Sequence, residues 1–124
     1  MKTINPSELS PMQVQMILQT AVAPRPIALA STIDKNGNVN LSPFSFFNLF
    51  SSNPPILIFS PARRVRDNST KDTLHNVLEV PEVVIGNVNF NMVQQVSLSS
   101  TEYDTDVDEF IKSGLTKKPS ELVK

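Results

Sequence analysis

The sequence contains no cysteine, which excludes disulfides, thiolate catalysis and cysteine-ligated metals. Its one histidine, His75, is too few for a histidine-rich metal site. Glycine is scarce, confined to Gly37, Gly86 and Gly114. A GxGxxG dinucleotide fingerprint and a P-loop both need clustered glycines where backbone meets phosphate, so neither is present. Any nucleotide-like ligand must be held another way. Charge of either sign is not in excess, with a net charge of -1, and nothing electrostatic points to nucleic acid or a membrane surface. No run reaches transmembrane length, and no charged segment followed by an apolar run opens the chain. A soluble cytoplasmic protein is expected.

What is present suits one domain spanning residues 1–124 with a modest core. The 10 prolines fall between the apolar runs, favouring short strands broken by turns over long helices. Asn5-Pro6-Ser7-Glu8 and Ser10-Pro11-Met12-Gln13 read as helix starts, each with a capping side chain, proline at the first position and Glu or Gln at the third. The second helix should end near Val22, ahead of the Ala23-Pro24 and Arg25-Pro26 pairs. Ile27 to Ile33 is a predicted strand, Asn36-Gly37 supplies positive φ in a hairpin loop, and Val39-Asn40-Leu41 begins the return. Ile56 to Phe59 reads as a buried strand and Glu82 to Val88 as a fourth. Three helices are expected in the second half: Asp72 to Val80 with Leu74, Val77 and Leu78 inward, one capped by Asn91, and one from Thr105 to a left-handed cap at Gly114. The acidic run Glu102 to Glu109 reads as a solvated helix start. Early antiparallel hairpins argue for a mainly β barrel or sandwich with short helices. Four strands cannot close a barrel, so either the chain is a fragment or a second copy covers the open edge.

Asn40 to Asn76 carries the chemistry. Arg63 and Arg64 precede Ser69-Thr70-Lys71-Asp72-Thr73 at a helix start, and amides, hydroxyls and cations together suit a phosphomonoester. Asn40-Leu41-Ser42-Pro43-Phe44-Ser45-Phe46-Phe47-Asn48 upstream suits a flat heterocycle with one face packed and its edges hydrogen-bonded. One of Phe44, Phe46, Phe47 and Phe50 is expected near the ring and the others in the core or an interface. Arg25 either reaches the ligand or caps a neighbouring carbonyl. His75 and Arg66 are read as surface residues.

Pro24-Arg25-Pro26-Ile27-Ala28, the Asn40–Asn48 run, Asn53-Pro54-Pro55 and Lys71-Asp72-Thr73-Leu74-His75-Asn76 resemble the flavin reductase-like, FMN-binding split-barrel family, closest to its flavoredoxin-type branch. Glu109-Phe110 and Gly114-Leu115-Thr116 fit the same pattern. The resemblance implies a homodimeric split β-barrel of Greek-key type that binds FMN near the dimer interface. It implies hydride transfer from NADH or NADPH, with electrons passed to a flavin or protein acceptor. By motif matching, Ser45, Phe46, Phe47 and Asn48 would line the isoalloxazine, and Arg25, within the matching Pro24–Ala28 motif, counts as a cofactor-binding candidate. Arg64, Ser69, Thr70, Lys71, Asp72 and Thr73 would surround the phosphate, with Asp72 acting mainly as helix cap. No side chain is assigned a catalytic role and no metal is expected. Members of this branch continue past the position of Lys124 through further strands. The chain therefore reads as C-terminally truncated, with a barrel left incomplete. A dimeric binding module without redox turnover is the alternative; a pyridoxal phosphate or haem protein of related fold ranks last.

Overall fold

The computed structural model describes residues 3–64, 67–104 and 107–124; Arg66 and the Thr105-Asp106 part of the expected last helix lie outside them. Helix α1, Pro11–Ala21, starts as its sequence dictates. The Ser10 hydroxyl accepts from the Gln13 N–H at 3.3 Å and the Gln13 side chain accepts from the Ser10 N–H at 2.9 Å, closing a capping box. No residue of α1 is buried.

Strands β1, Ala28–Ile33, and β2, Val39–Phe44, form an antiparallel hairpin in register from Ala28 opposite Phe44 to Ile33 opposite Val39. Gly37 takes φ 90°, but Asn36 does not join it at positive φ. The Asp34 carboxylate fixes the turn instead, accepting from the Asn36 and Asn38 N–H groups, each at 2.8 Å. β2 starts at Val39 as expected and runs on through Pro43, which is tolerated because β2 is an outer strand.

Among the described residues the strand count is five, not four. Phe47–Ser52, for which the sequence predicts no strand, is strand β3, antiparallel to β4, Pro55–Phe59. Its register slips between Leu49 and Ser51, leaving Phe50 in a bulge that breaks the alternation a strand would show in sequence. β4 is not the buried strand its apolar run suggests: among the described residues it pairs only with β3, and Ile56, Leu57 and Ile58 are exposed.

Helix α2, Asp72–Glu79, packs with a more polar inner face than its apolar residues predict. Thr73, Asn76 and Val80 are buried, Leu74 and Val77 are half-buried, and Leu78 points to solvent. Strand β5, Val84–Asn87, joins the far side of β1, giving the order β2-β1-β5. A single 3₁₀ turn, Phe90–Met92, leads into helix α3, Val93–Ser99, so Asn91 sits inside the turn rather than capping a helix. Helix α4, Glu109–Ser113, begins where the Asp108 side chain accepts from the Phe110 N–H at 2.9 Å. It ends at Gly114 with φ 71°, the left-handed cap expected there.

β1 is buried on both faces. Ala28, Ala30 and Phe44 pack with Phe47, Phe59, Val83 and Ile85 on one; Leu29, Leu41 and Val96 pack with Val88, Met92, Phe110 and Leu115 on the other. Among the described residues the three-stranded and two-stranded sheets share no strand pairing, so this chain of short strands and short helices, with slightly more helix than the mainly β reading expects, forms no closed barrel. No described helix is long and apolar enough to cross a membrane.

Candidate functional site

The site forms where the end of β2 turns toward β3, opposite the segment that leaves β4 and enters α2. A groove of about 220 Å³ lies there, bounded by Phe44, Ser45 and Phe46 on one side and by Ser60, Ala62, Arg64 and Lys71 on the other. Pro43 and Arg63 also line it, Arg63 donating to the Asn68 carbonyl at 2.8 Å. Gln15 and Gln19 of α1 and Glu102 after α3 complete it. Sequence reasoning missed these three. The two glutamines lie four apart on one stripe of a helix, a signal that could have marked a polar, ligand-facing edge.

Arg64 is held from several sides. Its Nη2 contacts Asp72 Oδ2 at 3.0 Å, and its Nη1 donates to Ser69 Oγ at 3.3 Å and to the Thr70 carbonyl. Asp72 is therefore not the helix cap. Lys71 occupies that position, no side chain caps the first turn, and the Asp72 carboxylate is spent on Arg64. Lys71 Nζ stands 5.3 Å from the centroid of the Phe44 ring, which itself lies 5.2 Å from the Phe59 ring. Burial lowers the Lys71 pKa from its ordinary value and the Arg64 charge lowers it further, against an opposing pull from Glu102. Two cations are thus crowded together beside uncapped helix amides, an arrangement that an anion would relieve.

The remaining expected residues divide. Arg25 Nε donates to Ser45 Oγ at 3.4 Å, while its Nη1 donates to the Gln19 carbonyl at 2.6 Å and to that of Val22, so it caps the end of α1 and braces the edge of the groove. Phe46 lines the groove, whereas Phe47 packs into the core beside Ala28 and Ala30. Asn48 turns away, its side chain accepting from the Leu49 N–H at 2.8 Å. The Ser69 hydroxyl donates to Asp67 at 2.6 Å. The Thr70 hydroxyl meets the exposed His75 ring. Thr73 is buried, donating its hydroxyl to Asn40 Oδ1 at 2.8 Å. Ser45, Phe46, Arg64 and Lys71 are brought together at the groove; Phe47, Asn48 and the Thr73 side chain are not.

Two other cavities bear on the assignment. A polar cleft of about 30 Å³, room for about one water, continues from Arg64 and Lys71 toward Asn40, Thr73 and Glu109. A larger cavity of about 650 Å³ opens on the opposite face of the sheet, lined by Leu29, Ile33, Val39, Leu41, Val84 and Phe110 and bordered by residues 116–120. It shares none of the expected site residues.

No family model matches the chain. A protein of Aquifex aeolicus is 43% identical over 103 residues, covering 83% of this chain and 52% of the relative. One of Halalkalibacterium halodurans is 39% identical over 120 residues, covering 97% and 57%. The chain thus spans little more than half the length of these relatives. Among solved structures, nitrilotriacetate monooxygenase component B from Bacillus cereus superposes with a TM-score of 0.90 at 28% identity, covering 99% of this chain and 60% of that one. The 2-nitrobenzoate 2-nitroreductase of Pseudomonas fluorescens gives 0.81 at 27%, covering 98% and 57%. Flavoredoxin of Desulfovibrio vulgaris shares the fold, with a TM-score of 0.70 at 22% identity over 82% of this chain and 52% of that one.

Proposed function

Because the chain has the flavin reductase-like split-barrel fold, we propose that its groove binds FMN in an oxidoreductase that takes electrons from NADH or NADPH. One observation carries this reading: Arg64 and Lys71 converge beside the uncapped start of α2 and next to an aromatic-lined groove. The donors fit a phosphate. Arg64 offers a planar fork and Lys71 a point charge, and the first-turn amides add neutral donors. At about 220 Å³ the groove is smaller than the roughly 300–1,000 Å³ of pockets that enclose a whole ligand. It has room for the phosphate and polyol of FMN but not for the entire cofactor. Bound FMN would supply the hydride and electron transfer to a flavin or protein acceptor; the chain's own residues bind, orient and shield.

The test compares FMN with riboflavin. Arg64→Ala combined with Lys71→Ala should weaken FMN about 100-fold, because two charge-assisted contacts are lost, and leave riboflavin within about threefold. Equal loss for both ligands, or an unmodified chain that takes up neither, would overturn the assignment.

We further propose a homodimer built on the β3–β4 ribbon. Phe50 is 64% exposed, Leu57 52% and Ile58 50%, an apolar surface that a second copy would cover.

A second reading, binding without redox turnover, is favoured by the separate cavity of about 650 Å³ bordered by residues 116–120. Measurable steady-state oxidation of NADH or NADPH with added FMN eliminates it.

A further inference from the structure

Glu109 lies outside the groove and has no part in the function proposed above, yet both of its carboxylate oxygens are engaged. It is not the solvated helix start its acidic neighbourhood suggests. Oε1 accepts from Asn40 Nδ2 at 2.8 Å and Oε2 from the Leu41 N–H at 3.2 Å, on the outer edge of β2. The first contact fixes the Asn40 side chain. With its amide nitrogen turned to Glu109, its oxygen faces α2 and accepts from the Thr73 hydroxyl at 2.8 Å. A carboxamide has one donating and one accepting end, so the carboxylate decides which end Thr73 meets. One turn further on, Asn76 Nδ2 donates to Thr32 Oγ1 at 3.1 Å. Thr32 and Asn40 are cross-strand partners, and Thr73 and Asn76 are three apart on the helix. The helix is therefore pegged to the sheet by two hydrogen bonds between four buried side chains.

We propose that Glu109 is a positioning residue for the anion end of the groove. Through Asn40 and Thr73 it fixes where the first turn of α2 presents its amides, Lys71 and the Arg64–Asp72 pair. The role in ligand selection rests on the FMN reading above. Removing the carboxylate leaves the buried Asn40 amide nitrogen without its acceptor and lets the amide turn over. The first turn of α2 then loses its seat, while the Asn76–Thr32 bond keeps the second turn in place.

The test uses the full chain carrying Glu109→Ala, Glu109→Gln or, as a control on the same helix, the exposed Ile111→Ala. Amide hydrogen exchange of the flavin-free protein and the ratio of riboflavin to FMN Kd are measured for each. Loss of hydrogen bonds to a carboxylate predicts that Glu109→Ala exchanges about tenfold faster in the first turn of α2, relative to β1, and loses about tenfold of its preference for FMN. Riboflavin affinity should stay unchanged. Glu109→Gln keeps one accepting oxygen and should fall between, and Ile111→Ala should move neither readout. Unchanged exchange in α2, or FMN and riboflavin weakened alike, overturns the positioning role. An unmodified chain without FMN preference brings down the phosphate reading and this role in selection together; a preference that survives in Glu109→Ala brings down only the latter. Should Glu109→Ala fail to fold, the Gln variant is judged by the same criteria.

Discussion

Burial raises the Glu109 carboxyl above its ordinary value in spite of its hydrogen bonds, and the nearby Asp72 charge adds to the rise. The folded chain then holds this proton more tightly than the unfolded chain does. The stability Glu109 contributes is full below its unfolded value of about 4.3 and is lost as pH rises through the raised folded value. Glu109→Gln has no such titration, so the melting temperature of the unmodified chain, taken relative to that variant, should fall as pH rises. Arg64, Lys71, Asp72, Glu102 and Tyr103 share the cleft with Glu109 and are common to both proteins, so they largely cancel in the difference. A difference that stays flat from about pH 4 to about pH 7 would contradict the raised value. None of this was legible in the sequence, where Glu109 closes an acidic run. Its burial depends on β2, Asn40 being 69 residues away along the chain.

Short-range chemistry was legible at the level of elements. The Ser10–Gln13 capping box and the Gly114 cap follow from local rules and stand where the sequence puts them. Gly114 permits a sharp test. A Cβ placed there meets nothing within 4 Å, so the cost of Gly114→Ala is torsional alone, about 1–2 kcal/mol. Urea denaturation should show that loss; a neutral substitution would mean α4 can end without the left-handed turn. What was not legible depended on pairing. β3 hid behind the Phe50 bulge, and β4 read as buried because apolar runs imply burial only where another layer covers them. The inner face of α2 was misread for the converse reason. Its register is set by polar contacts to Thr32 and Asn40, which no hydrophobic period reveals.

At the scale of the whole molecule, the groove and the exposed ribbon belong to two small sheets that do not pair with each other among the described residues. The proposed dimer makes a direct prediction: Leu57→Asp should shift sedimentation toward the monomer at micromolar concentration, with the far-UV spectrum unchanged. An unmodified chain that sediments as a monomer throughout would refute that surface as the contact. Glu109 also has a meaning for assembly that no single residue shows. Its carboxylate occupies the outward N–H of Leu41 on β2, so a strand arriving there would have to evict an anion before it could pair. A strand joining the hairpin side of this sheet therefore meets a carboxylate already seated on its backbone.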